Sequence, residues 1–404
     1  MKFLLASLVV LAQTPGGWRA QATALKAKGD AAGALAAFER AAEAEPNAAD
    51  LRDEIGFLSA VAGRREEGVA WFREAIRLDA RYAPAHYHLG VALWLIGQRE
   101  DALAAMREAV RLAPRSIEYR ARLAAALQDV GLDEEALREA RTCLSAAPSR
   151  ADLWNLIGLV EQKRGEREKA RAAFAKAVTL QPGEFDYRNN YGFLLVDMGE
   201  ADAGMAQFQA VLRREPGNKR ALVSVGYAYL QKSDFDAALR QFEGLAQRFA
   251  DDAVVRYDLG LALKQKDRID DAKREFRAAL RLDPEMVEGY YTLGITAWQN
   301  GDFDEAVEAF RAAVSRRPSY AAAHFMLGTA LKQKGLLKEA AAALEEAIRL
   351  DPSTPGPFNT LAQIRQAEGN VDAARKLFAL AAEAKRKLEA EQATRLRTMG
   401  PARR

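Results

Sequence analysis

Ten positions spaced 34 residues apart run through this chain without an insertion: Pro46, Ala80, Pro114, Pro148, Pro182, Pro216, Ala250, Pro284, Pro318 and Pro352. A fixed period of this length marks a tandem-repeat chain that has no single central core. Each repeat buries its apolar face only against its neighbours, and the array as a whole offers an elongated surface. The expectation therefore moves towards binding and away from catalysis.

With this proline as position 32, the first repeat begins at Pro15. Position 8 holds Gly56, Gly90, Gly158, Gly192, Gly226, Gly260, Gly294 and Gly328, and alanine (Ala22, Ala124, Ala362) in the other three repeats. Position 20 is alanine or glycine throughout, from Ala34 and Gly68 to Ala374. Position 24 is mostly phenylalanine: Phe38, Phe72, Phe174, Phe208, Phe242, Phe276, Phe310 and Phe378. Position 15 is glycine in nine repeats, among them Gly29, Gly63, Gly97 and Gly369. Small residues at 8 and 20 let two antiparallel helices approach closely, and the phenylalanine fills the space beside them. Glycine at 15 accepts the positive φ that ends a first helix. An acidic or small polar residue, as in Gly301-Asp302, starts a second, and proline at 32 stops it. Each repeat reads as helix, tight turn, helix, turn.

This pattern resembles the tetratricopeptide repeat: a large residue at 4, Leu-Gly at 7 and 8, Ala at 20, an aromatic at 24, Ala at 27 and Pro at 32. The segment Gly289-Tyr290-Tyr291-Thr292-Leu293-Gly294, with Glu305-Ala306, Phe310, Ala313 and Pro318, is a near-consensus copy. Eleven repeats fit, starting near residues 15, 49, 83, 117, 151, 185, 219, 253, 287, 321 and 355, so residues 13–388 form one array. The resemblance implies an all-α, right-handed α-solenoid of stacked antiparallel helix pairs. Repeats 1 and 11 depart most, as terminal caps do.

Composition agrees, with 49% hydrophobic and 28% charged residues. A net charge of +3 supplies no basic field for nucleic acid. Pentatricopeptide RNA binders share the period but not this residue set. The single cysteine, Cys143, falls at position 27, where a small buried hydrophobe is expected. No phosphate loop, nucleophile elbow or His-Glu-x-x-His is present. His86 and His324 occupy position 4, a packing site, and His88 points away from His86 along the same helix. Carboxylates such as Glu134-Glu135 and Glu345-Glu346 follow helix-surface spacing. No enzyme activity, metal, cofactor or small-molecule substrate is expected.

The N-terminus has Met1-Lys2 and an apolar run from Phe3 to Ala12, which reads as a signal peptide over residues 1–12, too short to span a bilayer. A secreted or periplasmic location is the expectation, with a cytoplasmic one if the segment only caps repeat 1. The last helix is expected to run to about Arg397. Residues 389–404 form a basic capping helix and tail, suited to weak contact with a membrane surface or an acidic partner.

Ligands of the family lie along the first helices, where positions 5, 9 and 12 share a face. Position 5 carries Tyr87, Tyr257, Tyr291 and Phe325. Position 9 carries Phe57, Val91, Phe193, Tyr227 and Leu261, and position 12 carries Trp94 and Trp298. Position 13 repeats Gln231, Gln265, Gln299 and Gln333, whose amides both donate and accept. A groove over repeats 6 to 10 is the candidate peptide site, and the competing reading is packing between neighbouring first helices. Replacing Tyr257, Tyr291 and Phe325 together by alanine should weaken partner binding at least tenfold and hardly move Tm. The carboxylate clamp of chaperone-binding relatives lacks its asparagine at position 9. The asparagine ladder of sugar-transferase relatives is reduced to Asn190. The reading is a protein-binding scaffold, monomeric or weakly associated end to end, in a cell-envelope assembly. The alternative is an accessory, substrate-presenting subunit of an enzyme complex.

Overall fold

The structure, a computed structural model, describes residues 14–398. The signal-like segment and the last residues of the basic tail lie outside them. Among the described residues there are 22 helices and no strand. The chain divides into two compact units between Met198 and Gly199. The first contains α1 Pro15–Ala27, α2 Ala31–Ala44, α3 Ala49–Val61, α4 Arg65–Leu78, α5 Ala83–Leu95, α6 Arg99–Leu112, α7 Ile117–Asp129, α8 Asp133–Ala146, α9 Ala151–Lys163, α10 Arg167–Leu180 and α11 Phe185–Asp197. The second contains α12 Ala201–Leu212, α13 Lys219–Gln231, α14 Phe235–Arg248, α15 Ala253–Gln265, α16 Ile269–Leu282, α17 Val287–Gln299, α18 Phe303–Arg316, α19 Ala321–Gln333, α20 Leu337–Leu350, α21 Pro355–Ala367 and α22 Val371–Thr398. Every odd-numbered helix starts 34 residues after the one before it. Within each unit an odd helix pairs with the even helix that follows, and the pairs stack.

The pairing is built on a glycine facing a ring. A Cβ added at Gly260 would lie 2.5 Å from the Phe276 ring, and one at Gly158 or Gly226 would lie 2.5 Å from Phe174 or Phe242. Those three rings are fully buried. Where position 24 is alanine, at Ala140, position 8 is Ala124, so one pair of residues exchanges volume with the other. Cys143 is buried as expected, and burial pushes its thiol up.

All nine position-15 glycines have φ between 76° and 87°. The same conformation persists in the two repeats without glycine, at Ser233 (φ 57°) and Asp267 (φ 59°). The left-handed turn is thus imposed by the helix pair, and a side chain there carries strain of about 1 kcal/mol. Ser233→Gly should raise stability by up to about 1 kcal/mol in urea unfolding, after the greater freedom of glycine in the unfolded chain is subtracted. Asp267→Gly should give less, because aspartate tolerates this region better.

The capping of the second helices departs in part from expectation. Asp30, Asp234 and Asn370 cap their helices through side-chain oxygens. Asp302 does not: its carboxylate is taken by Lys273 across the seam and by Asn300. The turn after each pair has a lock that involves more than proline. In seven repeats the residue at position 4 is Arg, His or Trp, and its side-chain nitrogen lies 2.8–3.1 Å from the position-32 carbonyl six residues earlier. Trp154 bonds Pro148, Arg188 bonds Pro182, and His324 faces Pro318. Because Arg256 and His86 reach Ala250 and Ala80 in the same way, repeats without the proline keep the same turn. His86 and His324 are therefore latches at the edge of the packing and are partly exposed. At repeat 9, where the Tyr290 side chain offers no N–H, Arg316 donates to the Pro284 carbonyl and lies 4.3 Å from the Tyr290 ring centre.

Seams between repeats are laced by ion pairs at fixed offsets, such as Arg107–Glu135 (2.9 Å) and Arg311–Glu339 (2.5 Å), or Lys232–Asp202 (2.6 Å) and Lys266–Asp236 (2.8 Å). Being largely exposed, each contributes little alone. Stacking of apolar faces remains the main source of stability.

Candidate functional site

In the second compact unit the residues expected to line a groove fall into two groups. Tyr257 is half-buried: its ring lies 5.6 Å from Phe276 and its hydroxyl is 2.9 Å from Thr292 Oγ1 in the next repeat. Tyr291 lies 5.9 Å from Phe310 and 5.0 Å from Tyr320. Tyr291, Trp298 and Phe325 pack on one apolar cluster around Phe310 and Leu331, and Phe325 also covers Gly356 of the following repeat. Tyr227 donates its hydroxyl to Asp258, a fully buried carboxylate on α15. The second oxygen of Asp258 has no hydrogen-bond partner among the described residues. Burial pushes the acid up to about 6, against the Tyr227 hydrogen bond, which works the other way.

The other group is exposed. Gln231, Gln265, Gln299 and Gln333 are each the last residue of an odd helix, are open to solvent, and make no side-chain hydrogen bond among the described residues. Phe193, 47% exposed, sits at position 9 in the other compact unit. Lys264, at position 12, has no ion pair among the described residues, and burial pushes its ammonium down.

The tyrosines are thus partly committed to packing. Position 5 recurrently meets position 6 of the next repeat: Tyr257 with Thr292, Asp53 with His88 Nδ1 (2.8 Å), and Asn155 with Asn190 (2.8 Å). This changes what truncation should do. Tyr257→Ala and Phe325→Ala should each cost about 1–3 kcal/mol in denaturant unfolding, since both lose buried area and Tyr257 also loses a hydrogen bond. The near-constant Tm expected from sequence does not fit this packing. Tyr257→Phe should cost about 1 kcal/mol, isolating the bond to Thr292.

The first compact unit holds a site that the sequence reading did not single out. Between α3 and α5 lies an open apolar pocket of about 400 Å³, lined by Phe57, Val61, Arg65, Tyr87, Val91 and Leu95. Its floor is His88, whose ring centre is 5.5 Å from Phe57, 5.6 Å from Phe72 and 5.5 Å from Tyr87. Asp53 fixes the ring through Nδ1. Tyr87 stacks on Tyr119 at 4.5 Å and donates to Glu118 at 3.2 Å. Val61 and Leu95 are 64% and 53% exposed, although each ends a helix at position 13. The available signal was that row itself: it is apolar in these two repeats and glutamine in repeats 7 to 10, and the glutamines drew attention to the other end of it. Among the described residues there is no His/Cys/Asp/Glu group able to hold a metal ion. No described helix is long and apolar enough to cross a membrane.

The profile of the tetratricopeptide repeat matches residues 60–117, 257–300 and 291–355, and that of the cytochrome c-type biogenesis protein H TPR domain matches residues 137–255. No curated protein matches the chain. Among solved structures, a tetratricopeptide repeat protein from Parabacteroides merdae is 15% identical, with a TM-score of 0.56, over 62% of this chain and 98% of that one. MamA from Desulfovibrio magneticus is 26% identical over 42% of this chain and 96% of that one, with a TM-score of 0.40. The first of these likenesses shows the fold alone.

Proposed function

The chain belongs to the tetratricopeptide repeat family, whose arrays are protein-interaction scaffolds, and from that premise we propose that it holds extended segments of partner proteins along its odd-numbered helices. The observation that carries this reading is the row of exposed side chains ending those helices. Val61 and Leu95 stand open to solvent beside an apolar pocket, and four glutamines with unused amides continue the same position in the second unit. Apolar area with polar groups at its rim is the composition of an interface. Any catalysis associated with the protein would come from a partner.

The envelope is the proposed location, on the strength of the signal-like segment at residues 1–12 and of the profile from a cytochrome c-type biogenesis protein. An assembly factor that presents a client polypeptide fits both. An accessory subunit of an enzyme complex would use the same face.

Affinity capture with the full chain, beside a variant carrying alanine at Gln231, Gln265, Gln299 and Gln333, tests the reading. These residues are exposed, so the fold should be unaffected. Loss of a captured partner by at least tenfold in the variant is expected. Equal capture by both would remove the glutamine row from the binding face.

A further inference from the structure

We infer that the pocket between α3 and α5 takes a bulky apolar side chain of a partner segment that carries carboxylates beside it, an acidic-apolar extended peptide. The inference rests on the scaffold reading and specifies the chemistry of what one part of the face holds.

The argument comes from comparing equivalent seams in the first compact unit. Position 17 of one repeat faces position 13 of the next. Arg167 meets Asp197 there at 2.9 Å, and Asp133 meets Lys163 at 2.9 Å, so both seams are closed by an ion pair. At the pocket the same two positions are Arg65 and Leu95. Arg65 has no carboxylate partner among the described residues, and Leu95 stands exposed where the equivalent Asp197 pairs with Arg167. Two more guanidiniums nearby lack a carboxylate partner among the described residues. Arg99 lies 4.0 Å from the Trp94 ring centre and donates to the Trp94 carbonyl. Arg122 has a buried, unpartnered Nε, and its charge acts on the Tyr87 hydroxyl.

An exposed valine and leucine over an aromatic floor favour an apolar side chain. Arg65, which lines the pocket with no carboxylate partner among the described residues, favours a carboxylate, which guanidinium binds in two-pronged fashion. A basic segment would meet like charge at Arg65. A purely apolar one would leave Arg65 without a partner, so complementarity selects the mixed peptide.

The test is selection from a random 12-residue peptide library displayed on phage against the full chain, followed by fluorescence anisotropy on the enriched peptides. The expected result is enrichment of peptides with leucine or an aromatic next to Asp or Glu. Binding should weaken at least tenfold in Arg65→Glu and in Leu95→Asp, which restores the ion pair found at Arg167–Asp197. Both residues are exposed, so circular dichroism and Tm should match wild type. Gln265→Ala should bind these peptides normally. Enrichment of basic or neutral peptides, or acidic-apolar peptides indifferent to both variants, overturns this inference and leaves the scaffold reading standing. A selection that enriches nothing overturns both.

Discussion

Replacing Phe276 by alanine is expected to destabilise the second compact unit by about 3–5 kcal/mol, the usual range for emptying a fully buried phenylalanine site. Gly260→Ala should also destabilise, by about 1–3 kcal/mol, because the added Cβ would lie 2.5 Å from the Phe276 ring. The sign is informative. In an exposed helix interior the same change stabilises by about 1 kcal/mol. The double variant should be much less damaged than the sum of the two, since repeat 4 already uses the alanine pair Ala124 and Ala140. Urea unfolding of the four proteins completes the cycle. Amide exchange over α15 and α16 locates the loss, which nearest-neighbour stacking should confine to adjoining repeats. Additive losses would mean that glycine and ring do not share one space.

The second large effect is a dependence on pH set by Asp258. Its carboxyl titrates near 6 in the folded chain and near 3.9 when unfolded. Between those values the folded state holds the proton more tightly. The group's contribution is therefore fully present below about pH 4 and is lost as pH rises through 6, amounting to about 2–3 kcal/mol. Asp258→Asn keeps an acceptor for the Tyr227 hydroxyl and has no charge to bury. It should exceed wild type in stability by about 1–3 kcal/mol at pH 8 and lose that advantage at pH 4. Other carboxylates act in the opposite direction, such as Asp50 beside Arg19 and Glu288 beside Arg317, both held below the usual range. The difference between variant and wild type removes their share. Parallel pH profiles for the two proteins would show that folding does not raise the titration of Asp258.

Much of the architecture was legible because the period and its small and aromatic positions encode pairing directly. The helix starts fall at the expected residues, and the position-15 turn is left-handed even where glycine is missing. The repeat alone did not make clear what polar atoms do across a seam. Arg, His and Trp at position 4 look unrelated as packing residues but share an N–H at the right height to hold the position-32 carbonyl. The same limit affected the site. Tyr257 and Phe325 were placed on the expected face, yet how far the next repeat covers them depends on Thr292 and Gly356, one repeat further on. The pocket at Val61 and Leu95 needed two facts at once, an apolar position 13 and an unpaired Arg65 across the seam from it.

Site-specific photo-crosslinking tests the central claim most directly. Benzoylphenylalanine would be placed at Leu95 and at Gln265, which end odd helices, and at Lys176 and Gln247, exposed on even helices. Each protein would be irradiated in an extract of the source cells. The scaffold account predicts a shared partner crosslinked from Leu95 or Gln265 and not from Lys176 or Gln247. Crosslinks confined to the even-helix positions would contradict it.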